Sequence, residues 1–149
     1  MPSAIYWDTS ALIKLYAPES DSARFRGLLR SRSEVPAISF LHRVELHFAL
    51  VAKEQRGEIA PGGAGLLSAS FQRHCLEGRY LEIPWGEDVE QKARLALEAC
   101  RSQTPPIPLR SLDGFHLGAV LAAGVPSIVS TDVRLCDAAR HLGLSVLSP

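Results

Sequence analysis

Short apolar runs, each followed by a segment with helical spacing, recur along the whole of this chain. The first run, Ala4-Ile5-Tyr6-Trp7, stops at Asp8, and Leu12, Leu15 and Tyr16 then fall on one helical face before Pro18. That reads as a buried strand, a turn and a helix start. A second helix follows over Ala23, Phe25, Leu28 and Leu29, with its cap in Glu19-Ser20-Asp21-Ser22. Further strands are expected over 35–38, 81–83, 127–130 and 145–147. Pro36 weakens the first of these, because proline cannot donate to a ladder. Helices are expected over 39–56, 66–75, 88–102, 111–124 and 132–142. Leu41, Val44, Leu46, Phe48, Ala49 and Val51 form the apolar stripe of the first, and Ser39 and Ser111 are expected caps. Thr104-Pro105-Pro106-Ile107-Pro108 must be a loop. Strands alternating with helices predict an α/β fold: a mostly parallel sheet of about five strands, covered by helices on both faces through right-handed crossovers. The two helices between the second and third strands are the one irregular feature.

The chain has 149 residues, which suits a single domain over 1–149. Sixteen basic and sixteen acidic residues cancel, so no global charge draws the chain to nucleic acid; a local basic rim stays open. No apolar run approaches the roughly 20 residues that span a bilayer, and no signal peptide is expected. Cys75, Cys100 and Cys136 are odd in number, widely spaced and lack a CxxC pair, which suits reduced thiols in the cytoplasm. Pro61-Gly62-Gly63-Ala64-Gly65 lacks the lysine and hydroxyl of a P-loop.

Four carboxylates stand at places where a fixed acid needs a reason. Asp8 ends the first strand, and Asp132 lies two residues past the apolar core of the fourth. Both belong at the carboxyl edge of the sheet, where open α/β folds bind their ligands and adjacent strands lie about 4.8 Å apart. Asp113 falls in the first turn of a helix, and Glu45 interrupts an apolar segment. Each has a plain structural reading: Asp8 and Asp132 as helix caps, Asp113 favoured by the helix dipole, Glu45 paired with Arg43. Gathered together, each close pair would repel by up to about 4 kcal/mol at an effective dielectric near 20, a cost tolerated where a cation fills the gap. Oxygen-only ligation favours a hard ion such as Mg²⁺ or Mn²⁺. The histidines are too scattered for a zinc site, although His42 and Glu45 share helical spacing.

The segments Trp7-Asp8-Thr9-Ser10-Ala11-Leu12-Ile13-Lys14, Val44-Glu45-Leu46, Arg110-x-x-Asp113-x-x-His116-Leu117 and Ser130-Thr131-Asp132-x-Arg134-Leu135 together resemble PIN-domain ribonucleases. Within that family they are most similar to the VapC-like toxins of toxin–antitoxin pairs. The resemblance implies a PIN-like three-layer fold and a Mg²⁺-dependent endoribonuclease (Mn²⁺ as the alternative ion). Asp8, Glu45, Asp113 and Asp132 match the catalytic, metal-binding quartet, and Ser10 and Thr131 match supporting hydroxyl positions. A metal-activated water would attack in line and leave a 5′-phosphate and a 3′-hydroxyl. Lys14, Arg43, Arg110 and Arg134 are candidate RNA contacts, each also readable as a surface charge. Gly114 departs mildly from the family pattern, and His116 looks like a packing residue. The resemblance further implies a small antitoxin and a homodimer, with the helices before Pro36 and the segment 57–78 as candidate surfaces.

Two other readings compete. A haloacid-dehalogenase-type phosphatase also uses an Asp at the end of its first strand, yet it needs an acid two residues later, where this chain has Ser10. A non-catalytic PIN-like module would bind RNA or a protein without cutting.

Overall fold

The computed structural model describes residues 3–149. Five parallel strands run β1 (Ala4–Trp7), β2 (Val35–Ser39), β3 (Leu81–Ile83), β4 (Ser127–Val129) and β5 (Ser145–Leu147), in the spatial order β3-β2-β1-β4-β5. The helices are α1 (Thr9–Leu12), continued by a 3₁₀ turn over Ile13–Leu15, then α2 (Ser22–Ser31), α3 (His42–Gln55), α4 (Gly63–Leu76), α5 (Glu87–Arg101), α6 (Ser111–Ala122) and α7 (Val133–His141). β1 and β4 lie side by side while their chain connections leave in opposite directions. Their carboxyl ends therefore open a crevice, the expected place for a site.

Strand alternation divides the core. Ala4 and Tyr6 of β1 pack with Val89 and Ala96 of α5, Leu117 and Val120 of α6 and Leu135 of α7. Ile5 and Trp7 face the other way, onto Leu12, Phe25, Leu46, Leu50 and Phe71. Both faces are covered, which is why β1 reads as a continuous apolar run rather than an alternating one.

Pro36 sits in β2, an interior strand. It is tolerated because Val35 N–H donates to Ser3 O at 2.9 Å on the β1 side, so the missing Pro36 donor would point the opposite way. On that side pairing with β3 begins only at Ala37↔Leu81. The expected stripe of α3 is corrected in part. His42, Leu46 and Leu50 form its buried face, whereas Val44 and Phe48 are 61% and 72% exposed. Ser111 is the first residue of α6 rather than its cap. Arg110 holds that position, and Asp113 accepts from its backbone N–H. Among the described residues, no helix is long and apolar enough to cross a membrane.

Candidate active site

Asp8 stands where β1 gives way to α1. Its backbone N–H still donates to Val129 O at 3.1 Å, while its side chain caps the new helix, Oδ1 accepting from Ala11 N–H at 3.0 Å. The Ser10 hydroxyl donates to the same oxygen at 2.7 Å, and the Ser130 hydroxyl donates to Oδ2 at 2.7 Å. Both hydroxyls are themselves held. Ser10 Oγ accepts from Thr131 N–H and Ser130 Oγ from Asp132 N–H, each at 3.0 Å. The carboxyl is only 4% exposed. Burial pushes its pKa up, and the Ser10 and Ser130 hydroxyls offset part of that rise.

Asp132 follows β4 and caps α7, Oδ1 accepting from Arg134 N–H at 3.0 Å and Leu135 N–H at 3.3 Å. Arg110 joins it to Asp113: Nη2 lies 3.4 Å from Asp132 Oδ2, and Nε donates to Asp113 Oδ2 at 3.1 Å. Asp113 is buried at the start of α6. Glu45, in the first turn of α3, accepts on Oε1 from the Thr9 hydroxyl at 2.8 Å and faces His116 Nε2 across 2.5 Å. Burial works to raise the Glu45 carboxyl, but His116 and Thr9 outweigh it and hold it below the usual carboxylate range. The capping and pocket readings of Asp8 and Asp132 are thus compatible, since one carboxylate does both.

A chain of contacts therefore links all four acids. Ser130 joins Asp8 to Asp132, Arg110 joins Asp132 to Asp113, and Thr9 beside Asp8 reaches Glu45. His116, one helical turn beyond Asp113, closes the loop onto Glu45. Among the described residues, no three His, Cys, Asp or Glu side chains already enclose a cation position. The donor chemistry still suits a hard divalent ion, because all four acids offer oxygen alone. Every hydrogen bond to Glu45 falls on Oε1 and every one to Asp113 on Oδ2, so among the described residues Glu45 Oε2 and Asp113 Oδ1 carry none.

The other expected residues are placed differently. The fourth-strand hydroxyl on Asp8 belongs to Ser130, and Thr131 contributes its backbone N–H instead. Lys14 is engaged by Glu19 at 3.0 Å and Asp21 at 2.9 Å, and Arg43 by Glu82 at 2.7 Å. Of the four basic residues, Arg110 reaches two of the acids through its side chain, while Arg134 is exposed beside Asp132. His42 is no ligand. Its Nδ1 accepts from Ser39 N–H at 3.0 Å, its Nε2 donates to Trp7 O at 2.6 Å, and burial pushes its pKa down to about 3. Sequence reasoning missed Thr9, Ser130 and His116. The three-residue step from Asp113 to His116, which sets both on one face of α6, was the signal open to the sequence; the Trp7↔Val129 register that brings residue 130 beside Asp8 was not.

The PIN-domain family model matches residues 5–141 of this sequence. The chain belongs to the PIN-domain family. Ribonuclease VapC46 of Mycobacterium tuberculosis (strain ATCC 25618 / H37Rv) is 31% identical over 150 residues, spanning 99% of this chain and 98% of its own length. Ribonuclease VapC47 of M. tuberculosis (strain CDC 1551 / Oshkosh) is also 31% identical, over 97% and 96%. Among solved PIN-like structures, Neisseria gonorrhoeae FitAcB superposes with a TM-score of 0.73 at 19% identity, covering 97% of each chain. M. tuberculosis VapC20, described as a sarcin–ricin-loop-cleaving toxin, does so at 0.72 and 16% identity, over 97% of this PIN domain and 99% of VapC20.

Proposed function

We propose that this chain is a divalent-metal-dependent endoribonuclease, the toxin of a toxin–antitoxin pair, acting as a single PIN domain over 1–149. The observation that carries the reading is the contact chain that draws Asp8, Glu45, Asp113 and Asp132 from four elements to one end of the sheet. Its relatives at 31% identity are ribonucleases, which supports RNA as the substrate. Ser10 in place of an acid argues against the phosphatase reading, because its hydroxyl is spent on Asp8 Oδ1.

Asp8, Glu45, Asp113 and Asp132 would hold Mg²⁺ or Mn²⁺. When bound, that ion supplies Lewis-acid stabilisation of a phosphoryl oxygen and a more acidic water. The chain's own residues supply position. Ser10, Ser130 and Ala11 N–H fix the Asp8 plane, and the caps of α6 and α7 fix Asp113 and Asp132. Arg110, exposed at the rim, can exchange its carboxylates for an RNA phosphate, where a guanidinium binds two oxygens at once. Arg134, exposed in the first turn of α7, is a second candidate. Lys14 and Arg43, engaged elsewhere, have weaker claims.

An antitoxin and a homodimer are part of the same proposal. One solved neighbour is a toxin–antitoxin complex from Klebsiella pneumoniae. Here Val44, Phe48 and Leu112 leave an apolar surface beside Glu45, of the kind partners cover. The three free, buried cysteines accord with a cytoplasmic setting. The test is Asp8→Asn. Cleavage of labelled RNA by the wild type, absent with EDTA and restored by Mg²⁺, should be lost in a variant whose circular dichroism is unchanged. Equal cleavage by the variant would refute the reading.

A further inference from the structure

Behind the acidic pocket lies a buried polar chain that the quartet does not explain. The Tyr6 hydroxyl donates to Ser39 Oγ at 3.1 Å and lies 2.6 Å from His116 Nδ1, and His116 Nε2 meets Glu45 Oε1 at 2.5 Å. Tyr6 and Ser39 are wholly buried and His116 is 4% exposed, so water does not compete at the inner end of this chain, whereas Glu45 at its outer end is partly exposed. The imidazole is also boxed in sideways. Tyr6 and His42 stand edge-on to it, with ring centroids 5.8 Å and 5.2 Å away. An ionised carboxylate only accepts, so Nε2 must carry the proton in this contact whichever state Nδ1 takes.

We infer that His116 is a positioning residue for metal binding. Backed by Tyr6, it pins Glu45 Oε1 so that Oε2 is presented to the cation. The inference rests on the metal-nuclease reading above. Glutamate has three side-chain torsions, and ordering it on ion binding would cost rotamer entropy. Here the cost is met on folding, because His116 and Thr9 both take Oε1 and neither takes Oε2. A histidine kept only for packing has no need to spend its outward nitrogen on one oxygen of a pocket acid. Outer partners of this kind, when removed, weaken metal affinity by about 10–100-fold in metalloproteins.

The experiment is calorimetric titration of the metal-free protein with Mn²⁺, together with cleavage rate against Mn²⁺ concentration at saturating RNA. Wild type, His116→Ala, His116→Gln, Tyr6→Phe and Asp8→Asn are compared, each checked by thermal melting. His116→Ala should weaken Mn²⁺ binding by about 10–100-fold and move the half-maximal metal concentration equally, with KM for RNA unchanged. His116→Gln places an amide donor within reach of Oε1 and should recover most of the affinity, whatever its melting temperature. Tyr6→Phe keeps the ring, removes the backing hydroxyl and should shift affinity the same way by less. If His116→Ala fails to fold, the Gln and Phe variants decide alone: wild-type affinity in Tyr6→Phe, or an ordinary loss in His116→Gln, overturns the inference. A folded His116→Ala that binds Mn²⁺ like wild type, while Asp8→Asn does not cut, overturns the positioning role and leaves the nuclease reading standing. A wild type that neither binds Mn²⁺ nor cuts overturns both.

Discussion

Gly118 joins the fold to the site, and replacing it by alanine tests that join. It lies mid-way along α6 where this helix crosses α5. A Cβ there would fall 2.5 Å from Val89 O, 2.9 Å from Ala93 N and 3.0 Å from Ala93 Cβ. Two of those atoms are backbone of a packed helix, so no rotamer change relieves the clash. Restoring ordinary contact requires α5 and α6 to part by about 1 Å. Overpacking of this kind costs about 1–3 kcal/mol, and backbone contact argues for the upper half. Alanine returns about 1 kcal/mol of helix propensity. The net loss is about 1–2 kcal/mol, or about 2–8 °C of melting temperature in a chain of this size. Gly114, four residues earlier, is the internal control. A Cβ there would meet only Leu109 Cδ2, at 3.9 Å, so Gly114→Ala should gain about 0.5–1 kcal/mol. Urea unfolding of both variants measures the contrast. Because α6 also carries Asp113 and His116, Gly118→Ala should lose RNA cleavage at temperatures where it remains folded. Stability equal to wild type in Gly118→Ala, or an equal loss in Gly114→Ala, would refute the packing argument.

Other outcomes follow from burial and charge. Burial raises Asp8 above its ordinary value of 3.8, so the proton binds the folded state more tightly than the unfolded one. The stability it contributes is complete below 3.8 and is lost as pH rises through the raised folded value. Metal-free Asp8→Asn should lack this fall, and urea midpoints at a series of pH values would show it. Glu45 acts in the opposite sense. Its lowered pKa contributes stability above its ordinary value of 4.5 that is lost as pH falls, so Glu45→Gln should remove part of the acid-side loss. All three thiols are buried, with burial pushing each pKa up and Cys75 to about 11, so the native protein should react slowly with a maleimide. Cys100→Ser should keep cleavage while melting earlier, since a buried hydroxyl without a built partner costs about 1–3 kcal/mol.

The layered fold was legible in the sequence because each strand is a short apolar run and each helix repeats at helical spacing. Both signals are local. The four acids were legible through their order along the chain, supported by a family resemblance rather than by any pairwise geometry. What escaped was non-local. Val44 and Phe48 read as core because periodicity finds an apolar face without showing whether another element covers it. Thr131 was expected to supply the supporting hydroxyl. The hydroxyl that reaches Asp8 is that of Ser130, because strand register, fixed at Trp7↔Val129, sets residue 130 beside it. His116 read as packing because its two hydrogen-bond partners lie 71 and 110 residues away in sequence.

The pocket's restraints share one design. Ser10, Ser130, Thr9 and the helix-start N–H groups are short, already ordered and nearly rigid, and they hold the acids without adding positive charge. Arg110 is the side-chain cation that bridges two of the acids, and it does so from an exposed arm at 3.1 Å and 3.4 Å. Its contact with Asp132, partly exposed on both sides, is individually weak, whereas its contact with the buried Asp113 is the costlier one to withdraw. Hydroxyl and backbone N–H donors inside and an exposed guanidinium at the rim thus hold the four acids in one connected set at the carboxyl end of the sheet.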